Sequence, residues 1–343
     1  MVKLAEFIKK ERLYILLLIF VILLGAATGA SHGKKGKRPA ALKADEELFM
    51  KPAEAEKLLH ENRYLAILFS LVSLLILATL FLGMIVDAVL IRLKLSGGRI
   101  QISTCKPGAA KWNLWDICRV AILFSFFGYM LVMAESALAG LWPGIKNDNF
   151  RMILNSSLLD ALAVVLVIYF TVWQYKENIV DLGISLRNFA RNVFYGAVGY
   201  LSVVPPLIGT IALIAFVLHV TRYVPEKQPV VELFLKERGT AFLAYTTVFA
   251  AVAGPMVEEL FFRGFMYGAL KKYIGIFWAT MATAVLFSAL HTDVVGFLPI
   301  VVLGIALAYV YEKTGTLVSS ITLHMIHNFT MVFFVFLVKQ LKG

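Results

Sequence analysis

The sequence predicts an all-α polytopic membrane protein of eight or nine transmembrane helices. Three observations carry that prediction. Hydrophobic residues make up 60% of the 343 and charged residues only 16%, against about 25% charged in a soluble domain. Mean hydropathy is +0.80. Apolar runs of about 20 residues recur, each the length a helix needs to cross a bilayer, while the short alternating segments of a transmembrane β-barrel are missing. The net charge of +11 calls for no nucleic-acid partner. Lysine and arginine collect at helix ends and loops, where membrane orientation puts them, so the lipid bilayer is the expected surrounding. The two cysteines, Cys105 and Cys118, form no CxxC or other metal-binding spacing.

The elements follow in chain order. Leu13 to Ala30 is apolar and is preceded by Lys3, Lys9, Lys10 and Arg12. That pattern is a first transmembrane helix or an uncleaved signal anchor; "GAATGAS" also offers the small residues of a cleaved signal peptide. Either way the N-terminus is expected in the cytoplasm. Residues 31–63 are polar and mixed in charge, and His60 is not part of an HExxH zinc motif. Further apolar helices are expected near 64–91, 117–141 and 152–173. A basic loop with Arg92, Lys94, Arg99, Lys106 and Lys111 separates the first two and suits a cytoplasmic side. Asp87, Asp116, Arg119, Glu135 and Asp160 lie in or near these helices and are expected as interfacial groups or local pairs, Asp116 and Arg119 being i, i+3.

The polar stretch 174–188, "QYKENIVDLGISLRN", divides the chain into residues 1–174, of no assignable role, and residues 175–343. After it come helices near 190–220, 239–270, 277–291, 294–310 and 315–338. Pro205-Pro206 is expected to interrupt the first of these, and Gly254-Pro255 to kink or break the second and free backbone carbonyls. Lys271-Lys272 at the end of that helix points to a site entered from the cytoplasmic side. No internal repeat is legible, which disfavours a transporter built from inverted halves.

Charge inside the second half is what needs explaining. "VEELFFRGF", residues 257–265, places two acids and an arginine in an apolar segment, where each charge costs several kcal/mol unless it is paired or faces water. Glu259 and Arg263 are i, i+4 with the acid on the N-terminal side, the favoured direction for a pair. Glu258 is turned about 100° away on the helix and is left without a local partner. A carboxylate in a low-dielectric place holds its proton more tightly, which suits a general base acting on water. His291, His324 and His327 lie in apolar segments further on. Phe287 and His291 are i, i+4 and share a helix face, as do His324 and Asn328. Histidine and asparagine side chains there can orient water or stabilise a developing oxyanion.

These residues resemble the CPBP family of CAAX-prenyl-protease and bacteriocin-processing membrane proteins, also called ABI or Rce1-type. "EELFFR", "FSALH" and "HMIHN" are similar to its EExxxR, FxxxH and HxxxN motifs, in the right order. The likeness runs over residues 175–338 and includes "DLGIS"; residues 1–174 match no family pattern. It implies a C-terminal catalytic helix bundle and an intramembrane endopeptidase of the CAAX type II kind, acting on a membrane-associated protein or peptide. By that likeness Glu258 is the base, His291, His324 and Asn328 complete the catalytic site, and Glu259, Arg263 and Phe287 support it. His327 is an addition, about 60° round the helix from His324. No cofactor is expected. If the site used a metal, zinc on Glu258, His291 and His324 would suit the donor types, but HExxH is absent and metal-free catalysis is favoured. GxSG, GxGD and Walker A motifs are absent too. Two other classes stay open: a non-catalytic scaffold or immunity protein that binds a membrane peptide, and a proton-coupled carrier using buried Glu and His as a relay. The unadorned motif core suggests a prokaryotic plasma membrane.

Overall fold

A computed structural model describes residues 2–32, 60–97, 102, 110–138, 147–223, 225, 228–291 and 294–341. Cys105, most of the polar stretch 31–63 and the loop positions Arg99 and Lys106 lie outside the described residues. The described elements are all helical. They are α1 (Val2–His32), α2 (Arg63–Leu95), α3 (Leu114–Leu138), α4 (Asp148–Ile168, continued by a π-helical turn Tyr169–Gln174), α5 (Phe189–Thr221), α6 (Pro229–Lys236), α7 (Thr240–Val248), α8 (Gly254–Glu259), α9 (Gly268–Leu290), α10 (Phe297–Thr314) and α11 (Leu317–Leu341).

Among the described residues, seven helical stretches are long and apolar enough to cross a membrane. One of them, Thr240–Leu290, is 51 residues long, about twice what a crossing requires. Gly275 breaks it, with φ 74° and ψ 174°, a backbone conformation that glycine alone adopts freely. The two halves are the predicted spans near 239–270 and 277–291. α1 encloses the apolar run from Leu13 and accounts for the ninth predicted segment.

Contacts divide the chain into two units. The first comprises Met1–Glu54 and Leu114–Val167; the second comprises Ala55–Asn113 and Ile168–Gly343. In the first unit, Arg119 of α3 pairs with Asp116 one turn earlier at 2.6 Å and also with Glu11 of α1. All three are buried, so the expected local pair is part of a clasp between two helices.

In the second unit, α2 packs on α5. A Cβ added at Gly83 would fall 2.3 Å from the carbonyl oxygen of Leu201, so only glycine permits this approach. Leu201 is four residues before Pro205, which has no N–H to give it. The expected interruption at Pro205-Pro206 does not occur: both prolines lie inside the continuous helix Phe189–Thr221. Neighbouring helices make such prolines tolerable in membrane segments. One turn beyond Gly83, Ser202 Oγ donates to Asp87 Oδ1 at 2.5 Å. α5 also packs on α10 and α11, and α9 packs on α10, which gives the bundle that surrounds the acidic motif.

Candidate active site

The segment that carries the two glutamates is a helix of alternating width. Between α7 and α8 runs a π-helical turn, Phe249–Ala253, and after α8 a second, Leu260–Tyr267. Gly254 keeps helical angles, φ −53° and ψ −56°, so the predicted break at Gly254-Pro255 is absent. The chain accommodates the proline by widening. In the π register the Gly254 N–H bonds to Phe249 O, five residues back. The next carbonyl, Ala250 O, would be served by residue 255, and proline has no N–H. Asn328 Nδ2 of α11 donates to Ala250 O at 2.8 Å instead. A freed carbonyl was expected from the sequence; that Asn328 would fill it was not.

Glu259 and Arg263 form the predicted pair. Arg263 Nη1 donates to Glu259 Oε1 at 2.8 Å, with both side chains fully buried. Arg263 Nη2 donates to Gly304 O of α10 at 3.2 Å, and the guanidinium lies 4.6 Å from the Phe287 ring centroid, within cation–π range. The arginine therefore ties the acidic helix to both α9 and α10.

His324 joins the two glutamates. Its Nδ1 is 3.1 Å from Glu259 Oε1. A carboxylate only accepts, so Nδ1 carries the hydrogen. The other nitrogen, Nε2, is 3.6 Å from Glu258 Oε2, just beyond hydrogen-bond reach. His324 is buried, whereas the Glu258 side chain is 33% exposed. Glu258 Oε2 itself is shielded and has no hydrogen-bond partner. The unpaired carboxylate read from the sequence is thus unpaired in the structure, with an imidazole nitrogen as its neighbour.

Phe287 is the hub of the remaining contacts. It is buried, and its ring meets those of Phe262 at 5.1 Å, His291 at 4.7 Å and His324 at 5.6 Å, all edge-on. His291 stands at the C-terminal end of α9, where the predicted span 277–291 ends, and it is exposed. Its Nδ1 donates to Phe287 O at 2.8 Å, leaving Nε2 as the free acceptor. Among the described residues no three His, Cys, Asp or Glu side chains are grouped so as to hold a metal ion. Glu258, His291 and His324 are not brought together as one such group. His327 packs against Tyr200, ring centroids 6.4 Å apart, and its Nδ1 is buried without a partner.

Sequence reasoning missed the ties that come from far along the chain. Trp112 Nε1 donates to Phe265 O at 2.7 Å, and the two rings stack. Lys272 Nζ reaches the carbonyls of Ala110 and Trp112. Lys271 Nζ and Tyr267 Oη both bond to Glu312. These lysines do not end the glutamate helix, which continues to Gly275. Separations of 41 residues and more leave no signal in local spacing.

The three motifs that resemble those of the CPBP family thus meet in one helix bundle, with a buried Glu–Arg pair and a histidine between adjacent glutamates. Residues 240–330 match the family model described as type II CAAX prenyl endopeptidase Rce1-like, and all seven predicted site residues lie within that span. Over those residues the chain is similar to that family. A protein of Bacillus subtilis (strain 168) with the printed name "Putative membrane peptidase YdiL" is 28% identical over 81 residues, 24% of this chain and 33% of that relative. The match therefore covers about a third of the relative's length. No solved structure matches the chain.

Proposed function

We propose that this protein is an intramembrane endopeptidase of the CAAX type II kind, in which Glu258 activates water without a metal. The observation that carries the reading is the unpaired Glu258 carboxylate facing His324 Nε2 at 3.6 Å, while Glu259 is occupied by Arg263 and by His324 Nδ1. Glu258 takes a proton from water as the oxygen attacks the peptide carbonyl carbon. His324, held in register by Glu259, presents Nε2 to the site, and it meets the tetrahedral oxyanion as a donor in the form that carries a second hydrogen there. The C–N bond then breaks as the proton on Glu258 passes to the leaving amine, and the carboxylate is restored. Asn328, bonded to Ala250 O, holds the wide turn ahead of the glutamates and so acts as a positioning residue in this reading. The substrate is a membrane-associated protein or peptide cut near the bilayer surface. Comparison of membrane-peptide termini in cells carrying wild-type protein or Glu258→Gln tests this. New termini that vanish with the glutamine variant support it; identical terminus profiles in both overturn it.

A further inference from the structure

Each wide turn of the glutamate segment has a side-chain donor on one of its carbonyls. In the first, Phe249–Ala253, the donor is Asn328, which bonds to Ala250 O at 2.8 Å. In the second, Leu260–Tyr267, it is Trp112, whose Nε1 donates to Phe265 O at 2.7 Å. The Gly268 N–H, three residues on, bonds to the same oxygen, so Phe265 O marks where the helix narrows again. A π turn holds one residue more than an α turn. That extra residue can shift along the helix only if each carbonyl it passes changes partner. A carbonyl held from outside the helix stops it. Ala250 and Phe265 bracket Glu258, Glu259 and Arg263, so the two donors fix the register of all three.

Trp112 is itself held. It is fully buried, and its indole stacks on Phe265 with the centroids 5.8 Å apart and the planes 13° from parallel. The residues beside it are tied down as well. Lys111 Nζ pairs with Glu177 at 3.1 Å, and Asn113 Nδ2 donates to Tyr175 Oη at 3.1 Å. Lys272 Nζ donates to Ala110 O at 2.7 Å. From Phe265, ring contacts run through Phe261, Phe262 and Phe287 to His324. Residues 110–113 lie outside the span 240–330 that matches the family model. We infer that Trp112 is a positioning residue for the glutamate pair, acting through Phe265 O, so that the site draws on a segment supplied from outside the matched span. The inference rests on the reading of Glu258 as the base.

Replacing Trp112 by 3-benzothienylalanine, which keeps the fused rings and exchanges the N–H for sulfur, tests this in the purified full chain. Trp112→Phe is the second variant. Phe265 O keeps its bond from Gly268, so no carbonyl is stranded, and the thermal midpoint should move by no more than a few degrees. Amide hydrogen exchange should rise by about fivefold over residues 260–268, the worth of one hydrogen bond, and stay unchanged over 276–290. The substrate is a membrane peptide whose new terminus is lost in cells carrying Glu258→Gln. On it, kcat should fall by about tenfold or more while KM stays within about twofold, because small displacements of reacting groups cost rates of this order. Unchanged exchange over 260–268 in both variants would overturn the hold on the turn. Raised exchange with an unchanged kcat would overturn the positioning role. If no peptide depends on Glu258, it is the reading of Glu258 that fails, and the exchange measurement still decides whether Trp112 fixes the register.

Discussion

His324 Nδ1 donates to Glu259 Oε1 at 3.1 Å, and this one bond decides which imidazole nitrogen faces Glu258. With Nδ1 committed, Nε2 is the nitrogen that meets Glu258 and anything bound beside it. Glu259 thus has two tasks: it neutralises Arg263 and it sets the histidine tautomer.

The first task is testable by stability. Arg263→Ala leaves a fully buried Glu259 carboxylate without its cation, and breaking such a pair costs about 3–5 kcal/mol. The variant should show a lower thermal midpoint and poorer expression than wild type. Adding Glu259→Gln removes the orphaned charge and should recover part of both. A single variant as stable as wild type would show that the pair contributes nothing.

Replacing Glu258 should separate folding from catalysis. Glu258→Gln keeps shape and hydrogen-bonding groups but cannot accept the proton from water. The thermal midpoint should be unchanged or raised. Cleavage of a processed membrane substrate should fall by roughly 10²–10⁴-fold, the usual worth of general acid–base catalysis. His324→Ala and His291→Ala should give losses of similar size. Near-normal turnover in Glu258→Gln would remove it from the base role.

Asn328 and Pro255 should behave as a coupled pair. Asn328→Leu strands the Ala250 carbonyl in an apolar place, at a cost of about 1–3 kcal/mol. Pro255→Ala supplies the N–H that the π register lacks. In the Asn328→Leu background it should therefore restore stability, while alone it should do little. Additive effects of the two changes, read from thermal midpoints, would disprove the coupling.

Metal dependence has its own measurement. Purified protein should contain no stoichiometric zinc and should keep its activity after exhaustive chelation. Loss of activity on chelation, regained with one equivalent of zinc, would replace the glutamate-and-water mechanism with a metal-assisted one.

The N-terminal orientation can be read with one cysteine. Ala5→Cys in a Cys118→Ser background that also lacks Cys105 should react with a membrane-impermeant maleimide only after cells are opened. Labelling of intact cells would reverse the orientation expected from Lys3, Lys9, Lys10 and Arg12.

Much of this architecture is legible in the sequence. The spans follow from apolar length, and the Glu259–Arg263 pair from i, i+4 spacing, because both are local quantities. Phe287 and His291 likewise share a face. What spacing does not encode is the helix widening around Pro255, since an ideal turn was assumed for every apolar run. The Asn328–Ala250 bond follows from that widening and was invisible for the same reason. The contacts of Arg263 with Gly304, Trp112 with Phe265 and Lys271 with Glu312 arise from helix packing, on which residue spacing is silent. The end of the predicted span 277–291 at His291 is likewise local, and α9 closes there, at Leu290 with His291 as its cap.

The two wide turns have a consequence for length change in this segment. A π turn is an α turn with one residue inserted. Deleting one residue from Phe249–Ala253 lets the backbone close as an ordinary α-helix, with everything on either side still in phase. The same deletion inside Gly254–Glu259 has no such slack and turns the glutamates by about 100° relative to the preceding helix. The segment is therefore tolerant of a one-residue deletion ahead of its acidic pair and intolerant of one between Gly254 and Arg263, where the i, i+4 spacing of Glu259 and Arg263 would be lost.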